Sequence, residues 1–550
     1  MNPFSYPKCP AKQIQTDDGH KISSGLHLTG PHAEFAYSVF VDELKLWAED
    51  FIIWPVGVEL PERAASAELI CDGSDPELPE NPEGYRIESK LVDGLLRVSI
   101  SAHNQRGLRY ALVAFAENFM IGRKNIRLGY EVSWPDFPVR GIVEGFYGTP
   151  WSHQERMDMI EFLARYRFNT YMYAPKDDFY HRPKWTEHYP PELGAKLSEL
   201  FAHADAHDLE LVYSIAPGLT IEYSSEKDLE ILKSKLSSVI KLGAKSFALL
   251  LDDINTQTVH ASDKEAFPNL AEAHAYLCRK VWEHLQSELP GCKLYFCPTE
   301  YAQLAIGWVS QDYLNILGEK LPPEVEVLWT GPLVCSRIID VNDAEFFQER
   351  LNRPPVYWDN YPVNDADMVR EMHIGPYEGR EAGLSGKCRG FLANPMSAVE
   401  ASKIALATLS EYCWDAENYD AEKAWDAALH QAVGQPADLY LKFFGRTVLK
   451  SPLRPNARTP LADIPASDVD GLRRFAQEAK QTAVYLASFI PNQKLLQDIR
   501  PWLGDLYHWA EVLEAALNKD KARVDELMKH ASTEAETIGR DVRELLPKLF

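Results

Sequence analysis

Asp252 and Asp253 are the residues of this sequence best placed to move a proton. They follow directly on the apolar run Phe247–Leu251, so two carboxylates arrive together at the edge of something buried. Side by side in such a place they repel, and their surroundings must hold their protons unequally. One acid then stays ionised while its neighbour keeps a proton to donate. The competing reading is a solvated loop in which one Asp caps the next helix, and for an isolated pair that is the commoner case. A second pair, Asp177-Asp178, follows another apolar run, and position alone does not rank the two.

The elements that must carry these residues run from about Val139 to Leu409, where short apolar runs alternate with amphipathic segments. Strands are expected at Arg140–Glu144, Asn169–Ala174, Glu210–Ala216, Ser246–Leu251, Lys293–Cys297, Glu326–Thr330, Val356–Asp359 and Gly390–Ala393. Most are continuously apolar, as strands covered on both faces should be. Between them helices are expected at His153–Tyr166, Glu192–His207, Glu226–Leu242 and Leu270–Leu289; the first opens Ser152-His153-Gln154-Glu155, a capping-box spacing. The alternation predicts a (β/α)8 barrel over residues 136–410, with its active site on the loops after the strands.

Those loop positions read Glu144–Pro150, Tyr173–Asp178, Leu251–Asn255, Cys297–Tyr301, Trp329–Pro332, Tyr357–Asp365 and Ala393–Met396. They are rich in carboxylates, amides, Tyr and Trp, and poor in His. Carboxylates and amides suit sugar hydroxyls, and aromatic rings suit the apolar face of a pyranose. His203 and His207, at i, i+4 on an expected helix, read as a solvated helix face because no HExxH pattern accompanies them.

The flanking segments differ in pattern. Residues 1–135 mix short alternating runs such as Leu95–Ile100 with one amphipathic helix around Gly107–Phe119, which predicts a small α/β domain. The Pro-punctuated stretch Ser133–Arg140 reads as a linker. After Glu411 strand signals stop, and residues 411–550 read as an α-helical bundle, with long patterns at Ala466–Phe489 and Gln493–Leu549, the second broken near Pro501 and Asn518. The formal charge of -24 argues against a nucleic-acid partner and weakly against a polyanionic polysaccharide. No apolar stretch of about 18 residues predicts a membrane span, and no apolar segment follows Lys8 and Lys12 as a secretion signal would, so a cytoplasmic protein is expected. The eight cysteines show no CxxC or zinc spacing and read as reduced thiols. Neither a cofactor nor a metal is expected, and the oligomeric state is open.

Two glycosidase acids ordinarily stand on different strands, roughly 5 Å or more apart. Neighbours in sequence make better sense if the substrate brings its own nucleophile. A 2-acetamido group can do so, its carbonyl oxygen attacking the anomeric carbon to give an oxazoline. One Asp then accepts a hydrogen bond from the acetamido N–H while the other protonates the leaving oxygen.

GIVEGFYGTPW at Gly141–Trp151, YAPKDD at Tyr173–Asp178 and LLLDDI at Leu249–Ile254 resemble glycoside hydrolase family 84. So do CPTEY at Cys297–Tyr301, WTGP at Trp329–Pro332, YWDNYPVND at Tyr357–Asp365 and FLANPM at Phe391–Met396, all in the family's order. That family holds β-N-acetylglucosaminidases related to protein O-GlcNAcase and enzymes first called hyaluronidases. The resemblance implies a retaining, substrate-assisted mechanism in which Asp252 orients and polarises the acetamido group and Asp253 is general acid, then base. It places Tyr301 and Trp358 in the acetamido pocket with Cys297 close by. It gives the sugar hydroxyls to Gly145, Lys176, Asn360, Asp365 and Asn394, with Tyr147 and Thr330 shaping the site. A GlcNAc-bearing glycan or glycoprotein is then the expected substrate. The alternatives are an endo-acting hyaluronidase, an inactive carbohydrate-binding barrel, and a metal-dependent hydrolase built on Asp177, Asp178 and nearby histidines.

Overall fold

A computed structural model describes residues 11–17, 19–22, 25–44, 53–54, 65–121 and 125–550. They form two compact units, one of residues up to Pro138 with Glu411–Asn418, the other of Val139–Ser410 with Tyr419–Phe550. Cys9 lies outside the described residues.

The first unit is built on a seven-stranded sheet in the order Gln13–Thr16, Gly129–Ser133, Tyr85–Val92, Leu95–Ala102, Ala65–Ile70, Leu26–Thr29 and Ile53–Trp54. The pairing is antiparallel up to Leu95–Ala102 and parallel beyond it. Period-2 patterning explains the sheet: Leu96, Val98 and Ile100 are buried while Arg97 between them is exposed. The helix Gln105–Ala114, capped by the Asn104 side chain, closes the core with Leu108, Leu112 and Tyr110. Trp414, from Glu411–Asn418, packs edge-on against Tyr110 within this unit.

In the second unit eight parallel strands close a barrel: β1 (Val139–Glu144), β2 (Thr170–Tyr173), β3 (Glu210–Ile215), β4 (Ser246–Leu250), β5 (Lys293–Cys297), β6 (Glu326–Trp329), β7 (Val356–Asp359) and β8 (Gly390–Ala393). Its outer helices include α1 (His153–Arg165), α2 (Pro191–Ala206), α3 (Glu226–Leu242) and α4 (Leu270–Glu288). The expected capping box forms, Ser152 accepting from the Glu155 N–H while Glu155 reaches back to the Ser152 N–H. α3 stops at Gly243, whose φ of 114° suits glycine. Between β7 and β8 the described chain makes only 3-10 turns, at Ala366–Met368 and Ala382–Leu384.

Side chains alternate along each strand, and the inward row is a packed core: Val139 and Val143 from β1, Met172 from β2, Val212 from β3, Ala248 and Leu250 from β4, Tyr295 and Cys297 from β5, Leu328, Val356, Trp358 and Leu392. The same row runs out at the C-terminal mouth, where apolar residues give way to polar ones.

After β8 the chain is helical, with Val399–Trp414, Ala421–Val433, Ala437–Thr447, Val469–Phe489, Gln493–Leu517, Lys521–Met528 and Gly539–Leu549. The first three lie before the two long patterns of the sequence, at Ala466–Phe489 and Gln493–Leu549, which did not mark them. The break expected near Pro501 is absent: Gln493–Leu517 runs through it, whereas the break at Asn518 is present. A buried face of Leu495, Leu496, Ile499, Trp502, Leu503 and Leu506 holds the helix together on both sides of the proline. It outweighs an interior-proline cost of about 3 kcal/mol. No helix among the described residues is long and apolar enough to cross a membrane.

Candidate active site

β4 ends in a short, firmly held extension. The Leu251 N–H donates to the Cys297 carbonyl at 2.9 Å, and the Leu251 carbonyl accepts from Thr299 Oγ1 at 2.7 Å. Asp252 therefore continues the inward row of Ala248 and Leu250. Asp253 then takes φ of 49°, a left-handed conformation that Asp adopts more readily than most side chains. That turn breaks the strand's alternation and brings the second carboxylate to the mouth beside the first.

The two acids stand in opposed surroundings. Asp252 is 9% exposed and accepts from Lys176 Nζ at 2.7 Å. Burial pushes its carboxyl up, but the Lys176 charge and hydrogen bond, with Arg182 behind them, outweigh that and hold it below the usual carboxylate range. The Asp253 side chain is 36% exposed. Its carboxylate accepts from the Tyr147 hydroxyl at 2.7 Å and the Tyr301 hydroxyl at 3.0 Å. One acid is thus fixed as an anion in the wall, and the other faces the opening.

Lys176 continues the inward row of β2. Its loop is pinned by His181, which donates to the Pro175 carbonyl at 2.8 Å and is kept neutral by burial, its imidazole pushed down to about 4. Burial alone lowers Lys176; Asp252, Tyr147 and Asp253 reverse this and raise it. The ammonium also lies 5.3 Å from the Tyr147 ring and 5.6 Å from the Trp358 ring.

The opposite wall is an amide chain. Gly145 N–H donates to Asn394 Oδ1 at 3.3 Å, Asn394 Nδ2 donates to Asn360 Oδ1 at 2.9 Å, and Trp358 Nε1 donates to the same oxygen at 3.1 Å. Gly145 has to be glycine here, because a Cβ would stand 2.3 Å from the Trp358 ring. Asp365 accepts the Tyr147 N–H at 2.7 Å, and burial raises its carboxyl. The Cys297 thiol lies at the floor, pushed well above the usual range by burial and then by Asp252. Thr330 is set back from this wall: its N–H and hydroxyl donate to the Tyr301 carbonyl, and the hydroxyl also reaches the Leu333 carbonyl, so it holds the Tyr301 loop. Beside Tyr147 and Asp365 a hollow of about 380 Å³ extends toward Val369, Asp498 and Trp502.

Arg182 was not singled out in the sequence. It donates to the Tyr147 hydroxyl and to the Asp253 carbonyl, both at 3.3 Å, and so fixes the left-handed turn. It lies six residues past Lys176, beyond the strand ends, and its type alone gave no signal.

Four other acids at strand ends are engaged elsewhere. Glu144 is fully buried in a two-point bond with Arg156 and a bond from Tyr171. Asp178 accepts from Tyr173, Tyr189 and the Tyr180 N–H, which separates this pair from Asp252-Asp253. Glu300 accepts three backbone N–H groups from Gly307, Val309 and Ser310. Asp359 is paired with Arg380. Among the described residues, the group of three side chains close enough to share a metal ion is Glu161, His203 and His207, on the outer helices and not in this pocket.

Residues 140–445 match the family described as beta-N-acetylglucosaminidase. Over 274 residues, half of this chain, it is 42% identical to the protein O-GlcNAcases of Rattus norvegicus and Mus musculus. The match takes in only 29% of the length of those relatives. An aspartate-to-asparagine variant of the O-GlcNAc hydrolase of Thermobaculum terrenum is 32% identical with a TM-score of 0.71, over 75% of this chain and 94% of that one. CpGH84B shares the fold over the full length of both chains, at 23% identity and a TM-score of 0.80. With the family match spanning more than half of its length, the chain belongs to the beta-N-acetylglucosaminidase family, glycoside hydrolase family 84.

Proposed function

We propose that this chain removes terminal β-linked N-acetylglucosamine, with the hydroxyl of a modified protein as leaving group, through an oxazoline formed by the substrate's own acetamido group. The supporting observation is the isolation of the acid pair. Among the described residues, Glu144, Asp178, Glu300 and Asp359 are each engaged by internal partners, which leaves none of these four strand-end acids free to act as a nucleophile across the pocket. Asp365 is the exception in position, and its bond to the Tyr147 N–H suits it to a sugar hydroxyl.

The steps follow from the two environments. The acetamido oxygen attacks C1 while Asp253, at the open side, gives its proton to the departing oxygen. Asp252, held anionic beside Lys176, accepts the acetamido N–H and balances the charge growing on the oxazolinium. Asp253 next takes a proton from water, which opens the ring at C1, and two inversions leave the β configuration. The hollow beside Tyr147, a residue 46% exposed, leaves room for a bulky leaving group. The names of the similar proteins point the same way.

The test compares an aryl N-acetyl-β-glucosaminide with the matching aryl β-glucoside. Release from the first alone is expected; comparable release from both would mean that a protein carboxylate attacks. Faster release from an O-GlcNAc-modified peptide than from the end of a hyaluronan chain is expected for the leaving group.

Two further outcomes follow from the geometry. Lys176→Met removes the charge that lowers Asp252, so the ionised form needed for catalysis is lost at higher pH as the solution is acidified. The acidic limb of the kcat/KM profile should move to higher pH. Gly145→Ala drives a methyl into Trp358 and should cost about 1–3 kcal/mol of stability. It should also raise KM for N-acetyl substrates; thermal melts and initial rates read the two effects.

A further inference from the structure

From the arrangement of Glu161, His203 and His207 we infer a second site, one that binds a divalent transition-metal ion of the zinc class on the outer face of the barrel. Glu161 lies on α1, His203 in the last turn of α2, and His207 is the residue that ends α2. One donor atom from each lies within 4.8 Å of the others, and His203 Nε2 is 3.5 Å from Glu161 Oε1. The two imidazole rings are tilted at 55° to each other with their centroids 4.4 Å apart.

The hydrogen bonds around the rings are what separate this cluster from a solvated helix face. His207 Nδ1 lies 2.9 Å from the His203 carbonyl, which can only accept, so Nδ1 carries the proton and the lone pair is left on Nε2. His203 Nε2 is buried and has no hydrogen-bond partner. The His203 carbonyl thus holds His207 in the tautomer that ligates a metal, the arrangement usual for metal-bound histidines.

Two imidazoles and a carboxylate form the protein share of a tetrahedral zinc site, with water in the fourth position. Donor atoms sharing one zinc stand ~3.4 Å apart for bonds of about 2.1 Å. The His203–Glu161 pair is already at that spacing. The Glu161 side chain is 55% exposed and free to turn, so the widest pair can close by side-chain rotation. The ion would tie α1 to α2 on the outside of the barrel, away from Asp252 and Asp253.

The experiment is titration of the full chain with zinc chloride by calorimetry, alongside His203→Gln, His207→Gln, Glu161→Gln and, as a control on the same helix pair, His153→Gln. One zinc is expected per wild-type chain, with a rise in melting temperature. Binding should weaken at least about 10-fold in the two histidine variants and in Glu161→Gln, with hydrolysis of an aryl N-acetyl-β-glucosaminide unchanged. His153→Gln should bind as the wild type does. Copper-loaded wild-type protein should show hyperfine coupling to two imidazole nitrogens, a reading that needs no variant to fold. Failure of the wild type to bind zinc overturns the proposal, as does equal binding by the His203 and His207 variants or a copper spectrum with fewer than two nitrogens.

Discussion

Asp253→Asn should lose about 10²–10⁴ in rate on substrates with poor leaving groups, such as an O-GlcNAc-modified serine peptide, and far less in the first step on an activated aryl glycoside. The difference arises because a nitrophenolate departs without a proton whereas an alkoxide does not. The exposed carboxylate between Tyr147 and Tyr301 is the group facing the position where that proton is needed. Asn keeps the size of the side chain and its place in the left-handed turn, since Asn tolerates that conformation as Asp does. The fold should therefore survive, and melting curves will show it. The second step should also slow, because the same residue takes the proton from water. With an activated substrate the variant should show a burst followed by slow turnover, and added azide, which needs no deprotonation, should speed that turnover. Equal losses on both leaving groups, with no effect of azide, would remove Asp253 from the acid–base role.

The barrel strands were legible because each is buried on both faces and reads as an apolar run; β5, β7 and β8 begin and end where the apolar runs do. Much of the site follows from one more step, the parity of the inward row. Ala248 and Leu250 on β4 lead to Asp252; Met172 on β2 and Ala174 just past it lead to Lys176. Leu328 leads to Thr330, Val356 and Trp358 to Asn360, and Leu392 to Asn394. Parity alone does not separate the two aspartate pairs. The difference lies in long-range partners: Asp178 turns to Tyr173 and Tyr189, while Asp252 meets Lys176 from two strands away. Arg182 and the tyrosine contacts of Asp253 were illegible for the same reason, being set by loop conformations that depend on residues 35–106 positions apart. The helical segment misled at Pro501 because a local rule about proline was overridden by burial of the helix face.

Asp252→Asn should slow every N-acetyl substrate by about 10²–10³, whatever its leaving group. The reasoning starts from the burial of the pair it forms with Lys176, the two side chains being only 10% and 6% exposed. Once a sugar covers the mouth, water contributes little to stabilising a positive charge at the oxazolinium, and the fixed carboxylate must do it. An amide in its place can still accept the acetamido N–H if its oxygen faces the sugar, so ground-state binding should change little. What disappears is the negative charge that matters most as the ring closes, so the loss should fall on kcat more than on KM. Lys176 is left as a buried cation whose next carboxylate, Asp253, is 3.9 Å away. That adds a penalty the double variant Asp252→Asn/Lys176→Met should partly relieve in stability without restoring the rate. Leaving-group dependence separates this variant from Asp253→Asn: a parallel drop across aryl glycosides of graded acidity is expected here, and a steepened slope there. An undiminished rate for Asp252→Asn on any N-acetyl substrate would mean that the acetamido group is polarised by something else, and the division of roles within the pair would have to be redrawn.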